Sequence, residues 1–236
     1  MTTSTFSSPV SRPEDGLTLP DGASLFTRVR AAFKALKVLD KHPDDPVAAA
    51  LLVAALDGDI FRRQAEHLAQ TAFGQALLAE RPSLQKGAVD LSALAKLPEG
   101  TVGRAFADYF EKNKIQPFST PYQPRHEGDW LAMWYRETHD LHHVVTGYAT
   151  DAVGEMEVQA FALGNLGFRT SVMILFFAAV ARPHDLPPMW RYWDRLKVAY
   201  RRGQQSANLF TVRYERSFEQ TVCELRAALR VPPLPA

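Results

Sequence analysis

The strongest chemical signal in the chain is a set of two histidines and two carboxylates within seventeen residues: His139, Asp140, His143 and Glu155. On a helix, His139 and His143 lie one turn apart on the same side, because four residues turn the helix about 40° beyond a full circle. Asp140 falls on the same arc, which covers roughly a third of the circumference. Imidazole nitrogens and carboxylate oxygens that converge in this way are typical ligands of divalent metals. The spacing therefore predicts a metal site on this helix.

The fourth member of the set, Glu155, follows a helix break at residues 146–148 and is expected to reach the site from the next helix. Spacing alone does not separate Glu155 from Glu157, which points elsewhere on that helix. His142 falls about 60° to the other side of His139, where it is expected to line the pocket beside the metal. Imidazoles combined with carboxylates suit zinc, and they also suit non-haem iron when coordination positions stay open. These residues alone leave the choice between zinc and ferrous iron open.

The overall composition excludes several other function classes. Charged residues make up 22% of the chain and the formal net charge is +1, which gives no reason to expect nucleic-acid binding. Cys223 is the only cysteine, so the chain has no internal disulfide and no zinc finger. The sequence also lacks a Gly-rich phosphate loop and a Gly-x-Ser-x-Gly motif. A His-Asp phosphohydrolase would need further ligands, for which His67 and Asp108 are the candidates.

The two ends of the chain are predicted to be tails around one domain, which covers residues 21–231. Residues 1–20 are rich in Ser, Thr and Pro and lack the apolar segment of a signal peptide, which predicts a disordered N-terminal tail. Residues 232–236 are predicted to be extended. The longest apolar run, residues 172–181, is about half as long as a bilayer-spanning helix. Such a run is more typical of a buried core helix than of a membrane-docking segment.

Helical periodicity recurs along the chain, whereas the alternation expected of strands is nearly absent. These patterns predict an all-α, single-domain bundle of about eight to ten helices. The predicted helices cover residues 24–39, 46–56, 61–78, 90–96, 101–114, 129–145, 151–163, 170–181, 189–202 and 214–229. A turn at residues 57–59 is expected before the third of them, which is one helix or two joined near Gly74. The first helix carries an apolar stripe that is expected to face the core, formed by Leu25, Val29, Phe33, Leu36 and Leu39.

Four segments together resemble a known protein family. The central segment, HDLHHVVTGYATDAVGEMEVQAFALGN at residues 139–165, is similar to the signature block of the ubiquinone (coenzyme Q) biosynthesis protein 4 homologue family. The segments LPEGTVGRAFADYF at residues 97–110 and WYRETHD at residues 134–140 resemble the approach to that block. The segment RYERSFEQTVCELRAALRV at residues 213–231 is similar to the pattern with which the family's sequences end. The resemblance covers residues 24–231, which is nearly the whole chain.

The resemblance implies a ligand set and a fold. It implies that His139, Asp140, His143 and Glu155 bind the metal. The expected metal is Zn2+, and Fe2+ is the alternative. It thereby selects Glu155 over the other glutamate of that helix. His139, His143 and Glu155 are the expected catalytic residues. The family fold is all-helical, with an apolar groove or tunnel for an isoprenoid chain. The expected substrate contacts are Arg136, His142 and Tyr148.

The resemblance also implies a place in ubiquinone (coenzyme Q) biosynthesis. The leading hypothesis is a metal-dependent enzyme that decarboxylates and hydroxylates ring C1 of a polyprenylated hydroxybenzoate. The alternative is a non-enzymatic protein that binds prenyl lipids and organises other quinone-biosynthesis proteins, with homodimerisation as a further expectation. The helix over residues 189–202 combines Trp190 and Trp193 with basic residues and would suit peripheral contact with a membrane or docking to a partner. A solvated amphipathic helix explains the same pattern equally well. Because no transit peptide is recognisable, we expect a bacterial cytoplasmic protein. Peripheral association with the cytoplasmic face of the inner membrane is the alternative to a freely cytoplasmic protein.

Overall fold

The computed structural model of the 236-residue chain describes residues 12, 16–20, 22–42, 45–119, 123–181, 184 and 186–234. Within these residues the fold consists of ten α-helices, two short 3₁₀ turns and isolated β-bridges, which confirms the predicted all-α class. The helices are α1 (Leu25–Lys41), α2 (Pro46–Leu68), α3 (Ala72–Glu80), α4 (Leu91–Leu94), α5 (Val102–Asn113), α6 (Glu127–Thr146), α7 (Ala152–Leu166), α8 (Arg169–Ala181), α9 (Met189–Gln205) and α10 (Val222–Ala228).

The predicted turn at residues 57–59 is wrong, because α2 runs through it without a break. Asp57 is buried in the middle of α2, and its two carboxylate oxygens accept hydrogen bonds from the backbone N–H groups of Arg169 (2.7 Å) and Thr170 (3.1 Å) at the start of α8. An Asp that normally favours a turn is therefore used here to cap a distant helix. The break comes later, where Thr71 caps α3, and Gly74 lies inside α3.

The apolar stripe predicted for α1 does not form the buried face of that helix. Leu25 is 74% exposed, and Val29 and Phe33 are also exposed. The face that packs on α2 is built instead from small residues, including Ala32 and Ala35. Small side chains let two helix axes approach closely, so the larger residues are left on the outer side. Leu36 is the one member of the predicted stripe that is fully buried.

The apolar helix α8 is not the buried core helix that its composition predicts. Only Thr170, Ser171 and Leu175 are fully buried in it, whereas Val172, Phe176 and Val180 stand exposed at a spacing of four residues. α8 packs on α2 and α7, and the side of α8 that carries these three residues remains uncovered. A helix that is apolar on all sides gives no periodic signal from which this exposure could be read.

The helices α7 and α9 meet backbone to backbone at two glycines. A Cβ atom on Gly164 would lie 2.1 Å from the Tyr200 carbonyl oxygen, and one on Gly203 would lie 2.1 Å from the Phe161 carbonyl oxygen. Any larger residue at either position would force the helices apart. The amide of Asn165 strengthens the contact by donating a hydrogen bond to the Gly203 carbonyl at 3.0 Å. This close contact holds α7 in the bundle while its opposite side faces α6.

The prediction of a single helix over residues 214–229 is wrong. The segment forms a 3₁₀ turn, Tyr214–Arg216, and after a gap the short helix α10. In the gap, the carbonyls of Phe218 and Gln220 accept hydrogen bonds from the N–H groups of Gly103 and Val102 at the start of α5. Those N–H groups have no partner within α5, so the irregular segment satisfies them.

Most of the predicted N-terminal tail lies outside the described residues, but residues 16–20 are described, and Leu17 is buried against α1 and α2. Of the predicted C-terminal tail, residues 235 and 236 also lie outside them. An open cleft of about 490 Å³ runs beside α4 and α5 and is lined by Leu91, Ala95, Phe110, Lys114 and Ile115 among others, but not by the residues of the predicted metal site. Among the described helices, none is long and apolar enough to cross a membrane.

Candidate metal centre

Helix α6 carries three of the four predicted ligands, and both of its ends are held by specific contacts. At the start, the carboxylate of Asp129 accepts hydrogen bonds from the backbone N–H groups of Arg125 (3.1 Å) and His126 (3.3 Å). The N-cap residue is His126, and Asp129 accepts its hydrogen bonds from within the first turn, so the helix begins two residues before the predicted start at residue 129. At the end, Gly147 adopts a left-handed φ of 79°, which terminates the helix.

Two buried or half-buried arginines bind the last carbonyl groups of α6. Arg226 of α10 donates to the carbonyls of Val145 (2.7 Å) and Val144 (3.0 Å). Arg202 of α9 donates to the Thr146 carbonyl at 3.0 Å. The carbonyls at a helix C-terminus lack partners within the helix and carry partial negative charge, so two cations stabilise this end. They anchor the turn of α6 that follows His143.

The metal-ligating atoms of His139, His143 and Glu155 all lie within 4.8 Å of one another. Nε2 of His139 is 3.4 Å from Oε2 of Glu155, and Nε2 of His143 is 3.2 Å from Oε1. Asp151 caps α7 through a 2.7 Å hydrogen bond from the Gly154 N–H, and this places Glu155 in the first turn of α7, facing α6. The structure therefore brings together both histidines and the glutamate that reaches them from the next helix.

The orientation of the His143 ring is fixed by backbone carbonyl groups. Nδ1 lies 3.1 Å from the carbonyl oxygen of Ala149 and 3.3 Å from that of Tyr148. A carbonyl oxygen only accepts, so Nδ1 carries the proton and Nε2 is left facing Glu155. Metal-binding histidines are commonly held by such a contact at the other ring nitrogen.

The electrostatics of the site couple the glutamate to the two imidazoles. Burial alone would raise the pKa of Glu155, but hydrogen bonds from His139 and His143 and their positive charge bring this pKa far below its ordinary value. Burial alone would lower the pKa of His143, and its hydrogen bond to Glu155 outweighs burial, so the pKa of His143 is raised. Without a cation, a proton on His143 offsets the carboxylate charge of Glu155.

Asp140, the fourth predicted ligand, lies outside this three-residue group. Its Oδ1 accepts a hydrogen bond from the hydroxyl of Tyr109 at 3.3 Å. The ring of Tyr109 lies 5.7 Å from that of His143, so the tyrosine stands at the edge of the site. Burial and the charges of Asp140 and Glu155 raise the pKa of Tyr109, which therefore keeps its proton. Tyr109 is 31 residues before Asp140 and on a different helix, so no spacing in the sequence indicates this contact. Metal binding by Asp140 stays a prediction.

The predicted substrate contacts occupy three different environments. His142 is buried, with its ring 5.1 Å from that of Tyr135 and 5.9 Å from that of Tyr214, and burial lowers its pKa well below the ordinary value. The guanidinium of Arg136 lies over a ring of the preceding loop, at 4.8 Å from the centroid of Phe118. Their roles in substrate binding stay predictions.

The third predicted contact, Tyr148, has a buried side chain beneath the Arg202 guanidinium, which lies 4.8 Å from the ring centroid. Tyr148 meets the site through its backbone carbonyl, which lies within hydrogen-bonding distance of His143, rather than through its phenol. Its role in substrate binding also stays a prediction.

The two phosphohydrolase candidates do not join the site. His67 and Asp108 are both exposed, and the carboxylate of Asp108 pairs with Arg104 one turn earlier on α5, at 2.8 Å. Neither belongs to the group of metal-binding residues formed by the described part of the chain. The structure therefore gives no support to the phosphohydrolase alternative.

The donor set fits a divalent metal. Two ligand atoms that lie about 2.0–2.2 Å from a tetrahedral ion are about 3.3–3.6 Å apart, and the two nitrogen-to-oxygen separations of 3.4 and 3.2 Å are close to this spacing. The side chain of His143 is 1% exposed, whereas those of His139 and Glu155 are 15% and 37% exposed. One side of the site is therefore open to a further ligand.

The fold and the site together define an all-helical protein with a two-histidine, one-glutamate candidate metal centre between two adjacent helices. Residues 22–235 match the family described as "Coenzyme Q (ubiquinone) biosynthesis protein Coq4". The chain belongs to this family.

Individual relatives agree with the family match. The mitochondrial ubiquinone biosynthesis protein COQ4 homologue of Danio rerio is 30% identical over 170 residues, which is 68% of this chain and 61% of the relative. That of Aedes aegypti is 32% identical over 167 residues, or 68% of this chain and 60% of the relative. The matched region thus spans about three fifths of the length of these relatives. A crystal structure from Nostoc punctiforme, of a protein provisionally named a ubiquinone biosynthesis protein, is 26% identical. It superposes with a TM-score of 0.69 over 86% of this chain and 96% of the other.

Proposed function

We propose that this protein acts in coenzyme Q biosynthesis as a metal-dependent enzyme that removes the ring C1 carboxyl of a polyprenylated hydroxybenzoate and hydroxylates that carbon. The observation that carries the proposal is the convergence of His139, His143 and Glu155 within 4.8 Å, in a chain of this family. The partly exposed side of the site provides room for an aromatic headgroup next to these residues.

The ligands in this proposal are His139, His143 and Glu155, with Asp140 as a fourth. These residues would hold a divalent ion such as Zn2+ or Fe2+, which would supply Lewis-acid stabilisation of negative charge on the headgroup oxygens. Tyr109 orients the Asp140 carboxylate through its hydroxyl. The carbonyls of Tyr148 and Ala149 keep the Nδ1 proton of His143 in place.

Arg136 is the proposed contact for the substrate carboxylate. It lies one turn before Asp140 on α6, it is partly exposed, and a guanidinium is suited to hold a carboxylate. His142 stays neutral because burial lowers its pKa, so it contributes a polar but uncharged wall behind the site. In these assignments Arg136 binds and orients the substrate, and His142 shapes the wall of the site.

Which metal suits the site depends on whether the enzyme also hydroxylates its substrate. Replacing the carboxyl by a hydroxyl group releases carbon dioxide and is a two-electron oxidation, in which dioxygen would accept the two electrons and be reduced to hydrogen peroxide. Zinc has no accessible redox change. Ferrous iron bound by two histidines and one carboxylate suits oxygen chemistry. Zinc therefore suits an enzyme that only decarboxylates, or one in which the bound headgroup itself reacts with oxygen.

Turnover of a synthetic polyprenyl hydroxybenzoate by the purified chain tests the proposal. The protein is loaded with zinc or with iron, incubated with and without oxygen, and the products are separated by mass spectrometry. We expect a decarboxylated product, and a hydroxylated product in the presence of oxygen. Full activity of a His139→Ala variant would overturn the proposal, and so would the absence of any product with either metal.

A non-enzymatic role is the second candidate, and a different observation favours it. Large apolar side chains stand exposed on α1, α8 and α9, which suits contact with lipid or with other biosynthetic proteins. In this reading the metal holds a prenyl-lipid headgroup without reaction, at the cytoplasmic face of a membrane. Native mass spectrometry of the purified protein separates the two readings when it is combined with turnover, since lipid and metal would be bound without product formation.

A further inference from the structure

Three buried polar atoms beside the candidate metal centre have no hydrogen-bond partner among the described residues. They are Nδ1 of His142 and the hydroxyl oxygens of Tyr135 and Tyr214. His142 is 2% exposed and Tyr214 is 1% exposed, so bulk solvent does not reach these side chains. A buried polar group without a partner is unfavourable, and most such groups in proteins are hydrogen-bonded. Three of them side by side therefore need a physical explanation.

The three side chains are neighbours, and we call them the neutral cluster: Tyr135, His142 and Tyr214. The ring centroids of Tyr135 and Tyr214 lie 5.1 and 5.9 Å from that of His142. Tyr135 and His142 belong to α6, whereas Tyr214 comes from the 3₁₀ turn that precedes α10. The fold therefore assembles the neutral cluster from two segments that are far apart in the chain.

The neutral cluster adjoins the candidate metal centre. The ring centroid of His142 lies 6.3 Å from that of His139. Tyr135 is one helical turn before His139, so the two residues share a side of α6. Burial, and after it the charges of Asp57 and Glu155, raise the pKa of Tyr135. The phenol of Tyr135 is therefore within electrostatic reach of the glutamate that meets the two histidines.

The two flanks of the metal-binding histidines differ in charge. Around the axis of α6, Arg136 and Asp140 fall on one side of His139 and His143, and the two helical members of the neutral cluster fall on the other. One flank thus carries a guanidinium and a carboxylate, whereas the other carries neutral hydrogen-bonding groups. A ligand that lies over the histidines meets charged groups at one end and uncharged ones at the other.

The donors and acceptors of the neutral cluster match those of a hydroxyl group. Burial raises the pKa of Tyr135 and that of Tyr214, so both phenols keep their protons and can donate. Nδ1 of His142 accepts a hydrogen bond in one of the two tautomers of the ring. A hydroxyl oxygen accepts two hydrogen bonds and donates one, so one ligand hydroxyl has a bond for each of the three atoms. A carboxylate cannot donate, and its charge would be buried there without a cation.

We propose that the neutral cluster binds the ring hydroxyl of the aromatic substrate and thereby turns the carboxyl group of the same ring toward the metal centre and Arg136. This inference rests on the proposed function, which supplies a substrate that carries both groups. It assigns Tyr135 and Tyr214 as residues that determine specificity, because they distinguish a hydroxybenzoate from a benzoate that lacks the hydroxyl. The metal ligands contribute nothing to that distinction, since they contact the other end of the ring.

Calorimetric titration of the zinc-loaded full chain tests the inference with two probes, a geranylated para-hydroxybenzoate and the corresponding geranylated benzoate without the hydroxyl. The unchanged protein should bind the hydroxylated probe roughly 100-fold or more tightly, because the other probe leaves the polar atoms of the cluster unpaired. Tyr135→Phe and Tyr214→Phe should each reduce this ratio of affinities roughly tenfold, because each removes one hydrogen bond to the hydroxyl. Affinity for the probe without the hydroxyl should stay the same.

Thermal melting without a probe separates a role in binding from a role in folding. Because the two hydroxyls have no partner among the described residues, Tyr135→Phe and Tyr214→Phe should each raise the melting temperature by roughly 2 °C or more. Tyr192→Phe is the matched control, since Tyr192 is also fully buried but its hydroxyl donates to the Leu175 carbonyl at 3.4 Å. This variant should lower the melting temperature and leave the ratio of affinities unchanged.

The outcomes distinguish this inference from the proposed function. Equal binding of the two probes by the unchanged protein, or no binding of either, would overturn the inference. So would an unchanged ratio of affinities in both Tyr135→Phe and Tyr214→Phe, because the hydroxyls would then not contact the ligand. Failure of the proposed function has a different signature: the hydroxylated probe binds selectively and the tyrosine variants lose that selectivity, but no product forms in the turnover assay.

Discussion

The carboxylate of Glu157 forms two parallel hydrogen bonds with the guanidinium of Arg195, from Nε and Nη2, each at 2.8 Å. This pairing joins α7 to α9 and turns Glu157 away from α6. Glu155, two residues earlier on the same helix, faces the opposite way and meets the two histidines. The two glutamates therefore have different tasks, one in helix packing and one at the candidate metal centre.

Exchanging each glutamate for glutamine separates these tasks. Glu155→Gln should lower zinc affinity by at least about 100-fold, because even residues that only orient metal ligands contribute about 10- to 100-fold. Glu157→Gln should keep its metal and lose about 1 kcal/mol of stability, because its partner Arg195 is half exposed. Isothermal titration with zinc and thermal melting measure the two effects. Equal metal loss in both variants would contradict the assignment.

The candidate metal centre shows what the sequence could and could not predict. The spacing of His139 and His143 was sufficient to place both side chains on one side of α6, because residues four apart on any helix share a side. The choice between Glu155 and Glu157 depends on Arg195, which is 38 residues away from Glu157 in the chain and has no recognisable spacing to it. Family resemblance made that choice, and the structure explains it.

The wrong predictions about the fold have a related cause. The sequence marks α8 as apolar, but it does not say how many sides of the helix other elements cover. Asp57 and the glycine after it are typical of a turn, yet they continue α2 because Asp57 finds two N–H groups 112 and 113 residues later. Such contacts between distant segments override local preferences, and spacing within a segment does not reveal them.

Tyr109 offers a test of whether Asp140 binds the metal. If Asp140 is the fourth ligand, Tyr109→Phe should weaken zinc affinity by about 10-fold or more, because the carboxylate loses the hydroxyl that orients it at 3.3 Å. Asp140→Asn should then weaken it further. The affinities are measured by competition with a chelator. If neither variant changes the affinity while His139→Ala abolishes it, the ligands are the two histidines and Glu155 alone.

Asp57→Ala should destabilise the fold by about 1–3 kcal/mol, because two backbone N–H groups at the start of α8 lose their acceptor in a buried place. Chemical denaturation measures the change in the free energy of unfolding. Asp59→Ala is the matched control: Asp59 lies two residues away, on a more exposed part of α2, and pairs with Arg63 and Arg169, so its loss should cost at most about 1 kcal/mol. A larger effect at Asp59 would show that the cap is not what holds α8.

Metal binding should reverse the pH dependence of stability near neutrality. In the metal-free protein the pKa of His143 is raised above 6.5, so its protonation contributes stability that is complete below pH 6.5 and is lost as the pH rises through the raised pKa. A metal needs the neutral imidazole, so its binding strengthens over the same rise in pH. The increase in melting temperature on adding zinc should therefore grow from about pH 6 to about pH 8. The same increase at both pH values would show that the zinc is bound elsewhere.

The end of α6 provides the last test, since Arg226 bonds the carbonyls of Val144 and Val145 immediately after His143. Arg226→Ala should cost about 1–3 kcal/mol of stability, because two carbonyls at a helix C-terminus lose a charged donor. It should also weaken zinc binding, because the last turn of α6 orients His143 toward Glu155. Arg230→Ala, on an exposed residue just beyond α10, is the control for removing a cation from this region. Thermal melting and zinc titration of both variants check the expectation. Unchanged zinc affinity in a destabilised Arg226→Ala protein would confine this arginine to a role in folding, because the ligands would then hold their positions without the cap.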